Sequence, residues 1–172
     1  MKKFFLLFLA LACATLSQAQ AQDTRPMSWK DVATWKSMPN SGYKLSPDGQ
    51  WMAYVLTGIE TDGELILQKV ADPASKKTFP LGAATFASFE FSDNSQWIAF
   101  KEFPKFTEKQ ANEKANGKPL KEKLHLVKLA SGDKKTFEGI GGFYFNGEAA
   151  SHLIIALPKE GTGEAKGSDL LI

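Results

Sequence analysis

Cysteine is almost absent from the sequence: Cys13 is the only one among 172 residues. It lies in an N-terminal segment that we expect to be removed, which leaves a mature chain without cysteine. Such a chain has neither a disulfide framework nor a thiolate metal site. A lipoprotein signal would place a leucine-like residue where Ala10 stands. Alanine at this position argues against a lipoprotein signal, and lipidation of Cys13 is kept as the alternative.

Long hydrophobic runs are also missing. The longest, residues 4–12, is too short to span a bilayer, so we predict no membrane span. Lys2 and Lys3 precede this run, and the small residues Ala19 and Ala21 offer cleavage points. This pattern is typical of a secretory signal peptide at residues 1–21, and it predicts a secreted or periplasmic protein. A buried N-terminal helix is the alternative.

The sequence has little excess charge. Its formal net charge of +2 includes Lys2 and Lys3, and without them the chain is neutral. Phosphate binding requires a basic face, so we expect no nucleic-acid partner.

Catalytic motifs are missing as well, and we predict no catalytic, cofactor-binding or metal residue. No G-x-S-x-G nucleophile elbow occurs. The histidines His125 and His152 lie in different parts of the chain, and a triad or metal role would need partners that the sequence does not show. His125 alternates with Leu124 and Leu126, which predicts an outward-facing strand residue.

Acidic and glycine-rich segments give no cofactor site either. Asp48 and Asp93 are predicted to be turn residues, because calcium would need further carboxylates at regular spacing. The glycine-rich stretch 161–168 matches neither phosphate-loop pattern and predicts a hairpin.

What the sequence does contain is an internal repeat. Residues 43–54 match residues 89–100 position for position, 46 residues further on. A looser third copy occupies residues 143–147 and 152–156. A self-similar unit of about 40–50 residues with short strands is typical of a β-propeller blade.

Each copy predicts a strand, a tight turn and a second strand. In Ser46-Pro47-Asp48-Gly49, proline fixes φ and glycine permits the positive φ that a tight reversal needs. Ser95 replaces this glycine in the second copy, so we expect a different turn type there. Residues 51–55 and 97–100 are apolar on both faces, which indicates strands covered from both sides.

Two further strands complete each unit. They are predicted at residues 65–70, after the hairpin signal Asp62-Gly63, and at 76–79; both recur at 124–129 and 134–137. The predicted fold is all-β: a partial β-propeller of four-stranded antiparallel blades. Blade one spans 41–82, blade two 87–139, and part of a third 141–172, where residues 168–172 resemble a third strand with no fourth after it.

Two segments stand outside this repeat. Residues 101–123 hold seven lysines and four glutamates, and predict a solvated hairpin extension or a short mobile helix, with a partner-binding or gating arm as the alternative. In the lead, residues 22–40, Ser28 to Asp31 resembles a capping box that opens a brief helix. We expect Trp29 and Trp35 to pack the lead onto the body; a sugar or peptide platform is the alternative.

These features resemble a known family. Repeats of the form Ser-Pro-Asp-Gly-x-Trp-x-Ala-Tyr, as in residues 46–54, lie behind a signal peptide and a Trp-Lys lead, with a Lys-rich insertion in the second unit. Residues 29–172 thus resemble the N-terminal propeller of secreted bacterial serine peptidases of the prolyl oligopeptidase family. The resemblance implies a propeller that caps a C-terminal α/β-hydrolase domain and admits peptide substrates. It also implies that the triad lies in that domain, and no position here corresponds to it.

Two other functions remain open. Similar blades occur in the periplasmic propeller of the Tol–Pal system, which binds protein and has no enzymatic activity. A short chain of this type could also complete a ring by oligomerising, because exposed strand edges invite pairing.

Overall fold

The computed structural model describes residues 26–149, 151–158 and 168–172. They form three antiparallel sheets, which confirms the all-β prediction in its general form. The two helices are α1 (Trp29–Ala33) and α2 (Phe106–Lys114), and residues Gly147–Ala149 make a single 3₁₀ turn. The predicted signal peptide with Cys13, and most of the predicted hairpin at 161–168, lie outside the described residues.

Sheet 1 is the first repeat with one addition. Its strands are β1 (Lys36–Ser37), β2 (Tyr43–Leu45), β3 (Trp51–Gly58), β4 (Gly63–Lys69) and β5 (Asp72–Gly82). β3, β4 and β5 pair in sequence, and β1 and β2 follow one another along the free edge of β3. The sequence analysis placed β1 in the lead, because a two-residue strand has no pattern of its own.

Sheets 2 and 3 follow the predicted strand order. Sheet 2 contains β6 (Phe89–Phe91), β7 (Trp97–Glu102), β8 (Lys123–Lys128) and β9 (Lys134–Glu138), paired in that order. Sheet 3 contains β10 (Gly142–Phe145), β11 (Leu153–Pro158) and β12 (Ser168–Leu171). β12 confirms that residues near 168–171 form a third strand.

The sheets pack face to face through two hydrophobic clusters. Between sheets 1 and 2 lie mainly the aliphatic and aromatic residues Trp51, Val55, Leu65, Leu67, Phe89, Phe91, Ile98, Phe100 and Val127. Between sheets 2 and 3 lie Ala99, Leu124, Ile140 and Ile155, with partly buried residues around them. Sheet 2 is therefore covered on both faces.

The two copies of the central strand differ in burial. In β7, Ile98 and Phe100 pack toward sheet 1 and Ala99 toward sheet 3, so both faces are buried as predicted. In β3, burial alternates: one face is buried, while Met52 and Tyr54 on the other are half-buried. The prediction of a strand covered from both sides is thus wrong for β3 among the described residues. Apolar residues on both faces allow a strand to be buried on both sides, but a face is buried only where another sheet packs against it.

The turns before β3 and β7 share one hydrogen-bond network. The Ser46 hydroxyl accepts from the Trp51 amide at 2.9 Å and donates to Asp48 Oδ1 at 2.5 Å, and Asp48 Oδ1 also accepts from the Gln50 amide at 3.0 Å. The second turn repeats each bond 46 residues later, with distances of 3.0, 2.8 and 3.1 Å. These bonds satisfy turn amides within each turn.

Ser95 does not change the turn type. Its φ of 54° lies in the same left-handed region as the 70° of Gly49, and both amides donate to the serine carbonyl at 2.8 Å. The prediction of a different turn was wrong. The Ser95 hydroxyl accepts a hydrogen bond from the Asp48 amide at 2.9 Å, which joins the two turns and offsets the cost of a side chain at positive φ.

The lead confirms its predicted cap but not its predicted packing. The amide and hydroxyl of Ser28 each donate to Asp31 Oδ2 at 2.7 Å. Trp29 and Trp35 are 65% and 57% exposed, so they do not anchor the lead. The lead is held instead by the buried Ala33 and by β1, whose main chain pairs with β3.

Candidate functional site

The insertion predicted at residues 101–123 is the main departure from the repeat. Its residues 103–122 lie between β7 and β8, and we call them the arm. It contains α2, which confirms that a short helix forms here. None of the described residues of α2, Phe106–Lys114, is buried. An isolated helix this short is marginal in water, so contacts at its ends must hold it.

The base of the arm is hydrogen-bonded to the end of β5. The Phe103 amide donates to the Leu81 carbonyl at 3.0 Å, and the Ala83 amide donates to the Pro104 carbonyl at 2.9 Å. Between them, Gly82 has φ of 60°, and a Cβ there would collide with the Phe103 carbonyl oxygen. We call these two bonds the strap. They tie the arm of sheet 2 to sheet 1 through backbone that requires glycine.

The start of α2 is also bound to sheet 1. The carboxylate of Asp62, in the loop between β3 and β4, accepts from the Phe106 amide at 2.7 Å. A negative charge at the first turn of a helix satisfies a free amide and interacts favourably with the helix dipole. The sequence analysis assigned Asp62 to a hairpin and missed this role, which depends on a segment 44 residues away.

The far end of α2 closes on itself. Asn116 has φ of 48°, and the Gly117 amide donates to the Asn112 carbonyl at 2.9 Å. The Asn112 side chain donates to the Lys118 carbonyl at 3.0 Å. The arm is thus a defined structure with hydrogen bonds at both ends of its helix.

Two of the clefts beside the arm are lined in part by residues of α2. A cleft of about 290 Å³ lies between α2 and the strap and has the apolar residues Phe103, Pro104, Pro119 and Leu120 in its wall. A cleft of about 370 Å³ lies on the other side and is lined by charged residues, namely Glu102, Lys105, Glu108, Lys121 and Lys123. Glu102 therefore stands where the sheet, the arm and a polar cleft meet.

His125 lies directly behind Glu102. Its side chain is 4% exposed, so the prediction of an outward-facing residue was wrong. Its Nε2 is 2.5 Å from Glu102 Oε2, and its Nδ1 is 2.9 Å from Thr136 Oγ1. A carboxylate only accepts hydrogen bonds, so Nε2 carries the proton, and the Thr136 hydroxyl donates to Nδ1. The residue faces sheet 1, with its ring 5.1 Å from that of Phe100.

Burial lowers the pKa of His125 below its ordinary value. The hydrogen bond to Glu102 acts in the opposite direction, as does the Glu102 charge, while Lys134 and Lys123 lower the pKa further. The ring is therefore neutral at pH 7, with both nitrogens hydrogen-bonded.

The sequence held one signal for this pair. Glu102 and His125 occupy the positions of Leu56 and Ile66 in the first repeat, and the pairing of His125 with Thr136 matches that of Ile66 with Thr78. Two apolar positions thus become polar together. A residue-by-residue comparison of the two aligned strand pairs therefore reveals this pair from the sequence.

The other predicted positions lie apart from the arm. The hydrogen bonds from Ser46 and Gln50 lower the pKa of Asp48, as expected of a turn carboxylate. His152 is exposed on sheet 3, where its Nδ1 lies 2.8 Å from the Ser151 hydroxyl. Within residues 26–149, 151–158 and 168–172, no group of three or more His, Cys, Asp and Glu side chains is placed to hold a metal ion.

No family model matches the chain, and none of the curated proteins does. None of the helices in the described part of the chain has the length and hydrophobicity that crossing a membrane requires.

Proposed function

We propose that this chain forms the first blades of a β-propeller in a secreted serine peptidase of the prolyl oligopeptidase family. The propeller caps a C-terminal α/β-hydrolase domain of the same polypeptide. Serine-dependent hydrolysis of peptide bonds takes place in that domain, and the propeller restricts entry to peptides.

The outer face of sheet 1 carries this proposal. Tyr43 and Leu45 in β2 are 64% and 57% exposed. Their counterparts 46 residues on, Phe89 and Phe91, are 5% and 6% exposed because they pack against sheet 1. Sheet 1 thus presents to solvent the apolar positions that sheet 2 uses to bind its neighbour. A further sheet of the same type fits that face.

Sheet 3 shows the same property at the other end of the stack. Its inner residues pack against sheet 2, while Tyr144 and Leu170, on the opposite face, are 50% and 61% exposed. Apolar faces of this kind are rare on monomeric proteins unless they bind something. A ring of similar sheets covers both faces, and a propeller is the arrangement in which each blade packs only on its neighbours.

The peptidase part of the proposal rests on the resemblance described above. The Ser-Pro-Asp-Gly turn, the predicted export signal and the Lys-rich arm in the second unit are all features of the resemblance to that family. In this function the described residues shape the entrance and supply no reacting group.

The coding sequence beyond Ile172 tests the proposal directly. The proposal predicts that this sequence encodes further repeats of about 40–50 residues, followed by a G-x-S-x-G motif. The whole polypeptide should then react with a fluorophosphonate probe, and replacing the serine of that motif with alanine should abolish labelling.

Two outcomes would contradict the proposal. Further blades without a hydrolase domain would favour a periplasmic binding propeller of the Tol–Pal type. A stop codon directly after Ile172 would remove both functions and leave a ring formed by several copies of the chain.

A further inference from the structure

The pair formed by Glu102 and His125 is unusual for its position. In sheet 1 the same place holds Leu56 and Ile66, so an apolar pair fits this architecture. A buried hydrogen-bonded charged group often contributes less stability than apolar residues of similar volume. Stability therefore does not explain why a polar pair occupies this position.

Its position in the chain supplies one. Glu102 is the last residue of β7, and the strap begins at the next residue, Phe103. The strap and the Asp62 cap are the hydrogen bonds that hold the arm to sheet 1. A change at Glu102 is thus passed directly to the arm by the main chain.

We propose that Glu102 and His125 form a latch that holds the arm against sheet 1 at neutral pH and loosens it in acid. The neutral ring fills its site completely, with Nε2–H donating to Glu102 and Nδ1 accepting from Thr136. A second ring proton turns Nδ1 into a donor. Thr136 must then rotate its hydroxyl, and a charged ring lies against Phe100 in a site almost closed to solvent.

The charges around the ring come from three strands. β7 provides Glu102, which favours the protonated ring, while β8 and β9 provide Lys123 and Lys134, which disfavour it. From sheet 1, the ring of Phe79 lies 5.2 Å from that of Phe100, which itself lies 5.1 Å from the His125 ring. Burial and the two lysines outweigh Glu102, so the pKa of His125 is lower in the folded protein than in the unfolded chain.

The sign of the effect follows. Well above the unfolded pKa of about 6.5 the ring is neutral in both folded and unfolded chains, and the latch is complete. As the pH falls, the unfolded or locally opened form binds the proton first, so opening becomes easier. For one proton the change is at most about tenfold per pH unit.

Hydrogen exchange measures this opening at the three amides that hold the arm, Phe103, Ala83 and Phe106. The matched control is the double variant Glu102→Leu/His125→Ile, which installs the residues that sheet 1 uses. Both proteins are compared at about pH 7.5 and about pH 5, on either side of the ordinary histidine pKa. The pH dependence of intrinsic exchange then cancels at Ala83 and Phe106, and the Phe103 rate is corrected for the change of the residue before it. We expect wild-type protection at these amides, relative to the double variant, to fall several-fold in acid. An unchanged ratio would overturn the proposal.

A second measurement does not depend on the variant. Deuterium uptake at the C2 position of each imidazole follows the protonation of His125 and His152 separately. We expect His125 to titrate below the ordinary histidine value. Titration at or above that value would overturn the latch even if the double variant does not fold.

Discussion

Sheets 1 and 2 are built alike but are covered differently. Both begin with the same turn network, both place a lysine over the tryptophan that starts the second strand, and both continue in the same strand order. Sheet 2 has a neighbour on each face, whereas sheet 1 exposes Tyr43 and Leu45. The turn and the strands are therefore encoded within each repeat, whereas the burial of its faces depends on the repeats beside it.

The largest expected effect concerns this exposed face. We expect the isolated chain to associate through it, and the variant Tyr43→Lys/Leu45→Lys to become markedly more monomeric while remaining folded. The matched variant Phe89→Lys/Phe91→Lys places the same charges between sheets 1 and 2 and should unfold the chain. Light scattering and circular dichroism measure both results. A wild-type chain that is monomeric and melts sharply and reversibly would contradict the prediction.

Truncating a central aromatic residue sharpens the comparison. Phe100 is 1% exposed between the sheets, and Tyr54 is its half-buried counterpart in sheet 1. Phe100→Ala should lower the free energy of unfolding by about 3–5 kcal/mol, and Tyr54→Ala by about 1 kcal/mol. Urea denaturation in the Tyr43→Lys/Leu45→Lys background measures both. Equal losses would mean that Tyr54 is as well covered as Phe100.

Substitutions at two glycines with positive φ should lower the free energy of unfolding by different amounts. Gly82→Ala places a Cβ against the Phe103 carbonyl oxygen, and we expect a loss of about 2–5 kcal/mol. At Gly49 no described atom lies within 4 Å of the position that a Cβ would take, and Ser95 already occupies the matching site in the second turn. Gly49→Ser should therefore cost only the roughly 1–2 kcal/mol of a side chain at positive φ. Similar losses in thermal unfolding would show that the strap does not constrain Gly82.

The smallest effect concerns the turn acids. Hydrogen bonds depress the pKa of Asp48, so its contribution to stability is present above its unfolded pKa of about 3.9 and is lost as the pH falls through the lower folded value. Asp48→Asn reproduces Asn94 of the second turn and should remove this dependence. The difference in melting temperature between wild type and variant, followed from about pH 5 to about pH 2.5, measures it. A constant difference would contradict the prediction.

The repeat made most of the strands predictable, because a proline-glycine turn and period-two patterns are local signals. What the sequence did not reveal depended on contacts between residues that lie far apart in the chain. Ser95 adopts positive φ because of its bond to Asp48, and His125 is inward because of Glu102 and Thr136. The prediction that the tryptophans pack the lead onto the body was wrong for a related reason: the lead is held by the backbone pairing of β1 with β3 instead.

The bonds within each turn close over six residues, from Ser46 to Trp51 and from Ser92 to Trp97. Because these hydrogen bonds lie within the unit, a duplicated copy of it would keep them wherever it stands in the chain. The bond from the Asp48 amide to Ser95 is different, since it joins one unit to the next. It needs the Ser95 hydroxyl in the second unit and the Asp48 amide in the first, so the two copies are not interchangeable at this contact.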